Sequence, residues 1–429
     1  MNDAKLPRTA AIVSLGLTLS AILGSWLQER SWSQDLLAQA GSIMHGVVAQ
    51  MPQNSNLNIK INPQILSAQT RFSLKLFQTI SQQNQGENVL ISPTSIALAL
   101  SMTYNGAAGE TQQAMAKALE LQGITLADLN QANADLKAVL QNPDPKVQLA
   151  IANSLWARQD FTLKPNFIQL NRQFYGAEVT NLNFTDANAV NRINGWVSQN
   201  TRGKISQIVD RIQPDEVLFL INAIYFKGAW SQPFDPKATQ NKPFYRAKGD
   251  NRPVPMMSLK EDLSYLSTEQ FQAVSLPYGN KKRMRMDIFL PHKSSNLTSF
   301  TKTLTVQNWQ TWLKQFSTRE VALQLPRFKV EYGTELKPVL SSLGMGVAFT
   351  HQANFANLSP QPTLISQVKH KTFVEVNEEG TEAAAATSVG IMVTSARIPV
   401  EMVVDRPFFY AIRDEQTGAI LFMGTMTNP

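Results

Sequence analysis

Four histidines, His45, His292, His351 and His370, and no cysteine set narrow limits on the chemistry open to this 429-residue chain. A Ser-His-Asp triad could draw on any of the four, because triads are recognised by geometry rather than by position. Nothing in the sequence selects one. No Gly-x-Ser-x-Gly elbow, Walker loop, Gly-x-Gly-x-x-Gly turn or His-Glu-x-x-His pair occurs. Without thiols there is no cysteine nucleophile, no disulfide and no thiolate metal site. Four scattered histidines form no metal-ligand pattern, and no cofactor motif is legible.

The unusual stretch runs from Glu378 to Ser395, Glu-Glu-Gly-Thr-Glu-Ala-Ala-Ala-Ala-Thr-Ser-Val-Gly-Ile-Met-Val-Thr-Ser. It is long for a connection in a compact domain, and such connections are usually functional or disordered. After Glu382 it carries no charge and no proline, as suits a chain that is sometimes a loop and sometimes a buried strand. As a strand, its side chains would alternate between faces. Counted from Thr381, the inward set is Thr381, Ala383, Ala385 and Thr387, all small, while Glu382 falls on the other face and stays solvated. A large or charged residue on the inward set would clash or be buried unpaired. Gly380, after Glu378 and Glu379, supplies a pivot. The stretch Glu378 to Ala386 would equally suit a helix end, since alanine is the best helix former.

The elements that would hold this stretch are readable on either side. Thr372 to Val376 alternates like a strand, and Phe408 to Ile412 is an apolar run. Helical spacing dominates the first half: Ile65, Phe72, Leu76, Phe77 and Ile80; Pro93 to Met102, with Pro93 suited to a first turn; a helix from Gly109 with Thr111 as cap; Ala127 to Leu140; and Asn191 to Asn200. Strands follow at Val147 to Trp156, Val217 to Phe226, Arg285 to Pro291, Glu320 to Leu325 and Ala419 to Gly424. The uninterrupted run Val217 to Phe226 suits a strand covered on both faces. Helices first and strands later give an α+β class. No repeat or low-complexity seam divides the chain after about residue 62, so residues 63–429 read as one domain.

Hydrophobic residues at 43% and charged residues at 17% describe a globular protein. The net charge of +7 is spread thinly and points to no nucleic-acid partner. The run Lys281-Lys282-Arg283-Met284-Arg285 reads as charge guarding a strand edge rather than a polyanion site. Lys5 and Arg8 precede a charge-free apolar stretch from Thr9 to Gln28. That pattern is an export signal, long enough to stay as a membrane anchor. Residues 1–40 are therefore read as a signal peptide or anchor and 41–62 as a linker, placing the domain outside the cytoplasm: secreted, periplasmic or membrane-attached.

Together the segments resemble one family, the serpins. Asn88 to Ile96, Tyr104 to Thr111, Ile193 to Val197 with Thr201 to Ile205, and Leu220 to Trp230 carry the resemblance. So do Leu325 to Phe328, Ala353-Asn354-Phe355, Glu378 to Thr387, Arg406-Pro407-Phe408 and Phe422-Met423-Gly424, all in family order. The resemblance implies three sheets, a shell of about nine helices and an exposed reactive-centre loop. It also implies a mechanism in a monomer: a serine protease, or alternatively a cysteine protease, cuts the loop, which inserts into the central sheet with the acyl-enzyme attached. Family register, counted from Gly380, places the reactive bond at Thr394–Ser395, which suits an elastase- or subtilisin-like pocket. Arg397–Ile398 is the alternative and would suit a trypsin-like one. The residues matching the cluster that controls sheet opening are Ser92, Ser95, Asn222 and His370, and Trp230 matches the point where the hinge enters. Around Ala127 to Leu140, Lys137 is the only basic residue, which gives no support to heparin-type activation. Three readings follow: an inhibitor, a non-inhibitory carrier on the same fold, and a hydrolase with a hidden triad. The small inward set from Thr381 onward favours the first, and no enzyme activity is expected.

Overall fold

The computed structural model describes residues 61–141, 143–247, 249–381 and 398–429. Elements are numbered in chain order within them. The helices are α1 (Pro63–Gln83), α2 (Pro93–Tyr104), α3 (Gly109–Ala118), α4 (Leu126–Gln141), α5 (Pro165–Leu170), α6 (Ala189–Asn200), α7 (Leu297–Lys302), α8 (Val306–Gln315) and α9 (Lys337–Leu340). The central sheet has six strands in the order β10 (Phe328–Glu335), β11 (Gln367–Asn377), β12 (Gly380–Thr381), β4 (Leu218–Ala229), β2 (Val147–Arg158) and β3 (Glu178–Leu182).

The other strands form one nine-stranded path. It contains β1 (Val89–Ile91), β5 (Gln240–Tyr245), β6 (Asn251–Ser267), β7 (Phe271–Pro277), β8 (Met284–Pro291), β9 (Ser317–Pro326), β13 (Val400–Val403), β14 (Phe408–Asp414) and β15 (Ile420–Met426). The expected second and third sheets are continuous here because β6 is long enough to serve both. Its first residues pair with β5, its middle with β9 and its last with β7.

The core follows from residue type. All twelve residues of α2 are buried, as expected of a helix that is apolar all round. It packs against β15 on one side and β4 and β2 on the other. Pro93 occupies its first turn, as expected. The face of α1 bearing Ile65, Phe72, Leu76, Phe77 and Ile80 is buried against it. On the opposite face of the central sheet, Ala189, Ile193 and Val197 of α6 cover Phe219, Ile221, Ala223 and Phe373.

Two expectations fail for physical reasons. Thr111 does not cap α3: the cap position is Ala108, and the buried Thr111 hydroxyl accepts from the Asn354 amide at 2.8 Å. The basic run guards no edge, because β8 lies between β7 and β14. Its arginines have partners instead. Arg283 pairs with buried Asp414, and Arg285 donates to Ser275, Ser264 and Glu415.

Candidate functional site

The site is a seam between two strands. β4 and β11 run parallel and pair from Phe219↔Gln367 to Tyr225↔Phe373. Above that they part. Gly380 and Thr381 enter the gap as β12, antiparallel to both: Thr381 faces Val376 and Gly228, and Gly380 faces Asn377 and Ala229. The first two residues after the hinge glutamates are thus already a strand, and the seam below them is closed.

Backbone and side chains lock this entry. The Asn377 side chain accepts from the amides of Glu379 and Gly380 at 3.0 and 3.2 Å, folding the chain back toward the sheet. Trp230 donates its indole N–H to the Asn377 carbonyl at 2.9 Å and its amide to the Glu379 carbonyl at 2.9 Å. It is therefore a clamp on the hinge as well as a buried aromatic. Gly380 has φ +149°, and a Cβ there would lie 2.1 Å from the Gly228 carbonyl oxygen. Close approach to β4, as well as backbone freedom, demands glycine. The Thr381 hydroxyl is buried 2.6 Å from that of Tyr278, whose ring stacks on Trp230 at 4.4 Å. Burial holds the Tyr278 phenol neutral by raising its pKa.

Glu378 anchors the hinge from below. Both its oxygens accept from Arg327 Nε at 2.7 Å, and Thr239 donates to it at 2.5 Å. Burial pushes its pKa up, but these donors outweigh burial and hold the carboxyl below its ordinary range. The pair's stabilisation is present above the unfolded carboxylate pKa and fades as pH falls through the depressed one. Arg327→Ala leaves a buried carboxylate with one side-chain donor. Because Arg327 is 44% exposed, water softens the loss, and the expected cost is about 2 kcal/mol rather than the larger penalty of a dry broken pair. Urea midpoints at pH 7 report it, and an unchanged midpoint would show that the pair does not hold the hinge.

Lower on the seam, Ser92, Ser95, Asn222 and His370 converge, all buried. His370 Nε2 accepts from the Ser92 amide at 3.1 Å, so that nitrogen carries no proton. Nδ1–H then donates to Asn222 Oδ1 at 2.6 Å, across the registered pair Asn222↔His370. The Asn222 amide nitrogen lies 2.5 Å from Ser95 Oγ and from Asn153 Oδ1. Burial lowers the His370 pKa to about 3. The buried Ser92 hydroxyl has no hydrogen-bond partner among the described residues.

Four expected residues thus meet in one cluster, and Trp230 stands with the hinge above it. Asn153, Tyr278, Thr239 and Arg327 join them, although the sequence assigned them no role. The available signals were an amide inside the strand segment Val147 to Trp156 and the place of Arg327 within Leu325 to Phe328. Of the hinge, Glu378, Glu379, Gly380 and Thr381 are described. Glu382, Ala383, Ala384, Ala385, Ala386 and Thr387, the bond Thr394–Ser395 and Arg397 lie outside the described residues. Ile398, the first described residue after them, is 95% exposed.

The family model described as Serpin (serine protease inhibitor) matches residues 67–429. The chain belongs to the serpin family. The leukocyte elastase inhibitor of Sus scrofa is 36% identical over 380 residues, covering 85% of this chain and 100% of that protein. The native-state structure of the thermophilic serpin Tengpin superposes with a TM-score of 0.80 at 35% identity, over 86% of this chain and 96% of that one. Human thyroxine-binding globulin superposes with a TM-score of 0.79 at 26% identity, over 85% and 98%. In this serpin β4 and β11 pair directly from Gln367 to Phe373, and among the described residues no strand lies between them there. Among the described residues no group of His, Asp or Glu could hold a metal ion, and no helix is long and apolar enough to cross a membrane. Residues 1–40, read as signal or anchor, lie outside them.

Proposed function

We propose that the protein inhibits a serine protease by suicide cleavage, and that β12 is the tip of the strand that does the trapping. The observation that carries this is the register of Gly380 and Thr381 against both β11 and β4. Each further loop residue moves one position back along both strands. Ala383 then falls between Val374 and Phe226, Ala385 between Thr372 and Ile224, and Thr387 between His370 and Asn222. Gly390 reaches Gln367 and Phe219, the foot of the seam. From Thr381 to Thr387 the inward face thereby receives only small side chains, the uncharged Val389 follows, and Glu382 lies on the outer face between Glu375 and Lys227.

The chemistry is that of an interrupted acyl transfer. The protease serine oxygen attacks the carbonyl carbon of Thr394, the bond to the Ser395 nitrogen breaks, and that nitrogen leaves with a proton as a new N-terminus. The ester-linked loop then enters the seam as a strand, with the enzyme attached. An uncharged, medium-small residue before the cut suits an elastase- or subtilisin-like pocket, in keeping with the leukocyte elastase inhibitors among its relatives. Cleavage at Arg397–Ile398 is the second reading and would recruit a trypsin-like enzyme. The likeness to thyroxine-binding globulin keeps a carrier role as the contrast, which the small inward set opposes. The charge-free run after Lys5 and Arg8 supports export, which fractionation of the tagged full chain checks.

Mixing the protein with elastase-, subtilisin- and trypsin-type proteases tests the proposal. An SDS-stable complex is expected, and the released peptide should begin at Ser395. A start at Ile398 selects the second reading. Clean turnover by every protease, with no complex, overturns inhibition.

A further inference from the structure

Among the described residues, cavities border the central sheet at three places. One, by the hinge, belongs to the site above. Another, under the segment after α6, is lined by charges that already pair, Glu331 with Lys371 and Glu335 with Lys369. The third differs. It lies at the foot of the seam, has a volume of about 540 Å³ and combines an apolar floor with unpaired charges. That volume is within the range of small-molecule sites, roughly 300–1,000 Å³.

Val217, Phe349 and Leu364 supply the apolar surface; Asp215, Glu216, Lys337 and His351 supply the charge and donors, and Glu216 already accepts from the Gln213 amide and the Gln367 side chain. The Lys337 ammonium sits 6.0 Å over the Phe349 ring. Among the described residues it forms no ion pair, and neither the Asp215 carboxylate nor the His351 imidazole has a hydrogen-bond partner. Asp215 and Lys337 therefore face one cavity without neutralising each other. We infer that this cavity binds a zwitterion with an apolar body, of the class of free aromatic amino acids. Its carboxylate meets Lys337 and His351, its ammonium meets Asp215, and its ring packs on Phe349, Leu364 and Val217. Opposite charges on one ligand meet opposite charges on the wall in two charge-assisted contacts, of which a simple anion or cation makes only one.

The walls belong to two parts of the sheet. Val217 leads into β4 and Ser366 into β11, and the two are stitched where the Val217 amide donates to the Ser366 hydroxyl and the Ser366 amide to the Leu218 carbonyl, each at 3.2 Å. On the insertion reading proposed above, on which this consequence rests, a strand reaching Gly390 parts these walls by one strand spacing, about 4.8 Å. The ligand then binds the closed sheet more tightly than the open one, and by linkage it resists insertion.

Calorimetry on the uncleaved full chain tests the site with L-phenylalanine, phenethylamine and 3-phenylpropionate. Phenylalanine is expected to bind at least about tenfold more tightly than either single-charge analogue, the effect of one charge-assisted contact. Lys337→Ala and Asp215→Ala should each cost a similar factor while protease trapping without ligand is unchanged. Protein cut in its loop by any protease should bind at least about tenfold more weakly. No binding of phenylalanine at millimolar concentration overturns the site. Equal binding by the analogues or the variants overturns the assigned contacts, and equal binding by cut protein overturns the coupling. These measurements need no inhibitory activity, so a failure of trapping leaves them decisive.

Discussion

Thr381→Arg converts the protein from a trap into a substrate. The side chain at 381 is buried against Tyr278 beneath a stacked Trp230, with Val376 and Gly228 beside it in the sheet. Among the described residues that contact Thr381 there is no carboxylate, so an arginine must either be buried unpaired or push β12 out of the gap. An added barrier of only about 3 kcal/mol slows insertion roughly a hundredfold, while deacylation of the protease is untouched. The expected gel shows cleaved protein in place of the SDS-stable complex, with at least about ten molecules consumed per enzyme inhibited. Thr381→Ser keeps the hydroxyl contact and should trap normally. Undiminished trapping by the arginine variant, with a thermal melt like that of the parent, would mean that the loop does not enter here.

The parts of this site legible in the sequence are those whose physics is local. The apolar run Leu220 to Phe226 reads as a strand covered on both faces, and the polar Asn222 within it marks the buried cluster. The hinge's small residues fit the proposed insertion of a strand. What was not legible depends on partners distant in sequence. The lower half of β11 was missed because Lys369 and Lys371 break the apolar pattern. Both face outward and pair with Glu335 and Glu331 of β10. The wedge of Gly380 and Thr381 is set by register with two strands, one of them some 150 residues upstream, and no window reports that. The basic run at Lys281 was misread for the same reason: its acids, Asp414 and Glu415, lie at the end of β14 and just beyond it.

Acid should unlock the seam through His370. Its pKa is about 3 in the fold against 6.5 ordinarily, because burial opposes the charged form. Between those values the unfolded chain holds a proton that the folded chain lacks, so stability rises with pH across that window. The contribution is complete above pH 6.5 and declines as pH falls, with a ceiling of about 5 kcal/mol lost by pH 3. Among the described residues no carboxylate shifts the ring's pKa to offset this. Its partners are the Ser92 amide and the Asn222 carbonyl oxygen, and a proton on Nε2 would set two donors against each other. His370→Gln can accept from Ser92 and donate to Asn222 without titrating. It is expected to match the parent within about 1 kcal/mol at pH 7.5 and to lose less stability on the way to pH 4. Urea midpoints at both pH values measure this, and parallel declines in parent and variant would remove His370 from the account. Because the same imidazole ties β11 to β4 and to the start of α2, parting the sheet would let it take the proton that the closed sheet excludes, so acid should lower the barrier to parting. Loop insertion in the parent should therefore quicken as pH falls below 6.5, and in the glutamine variant it should not.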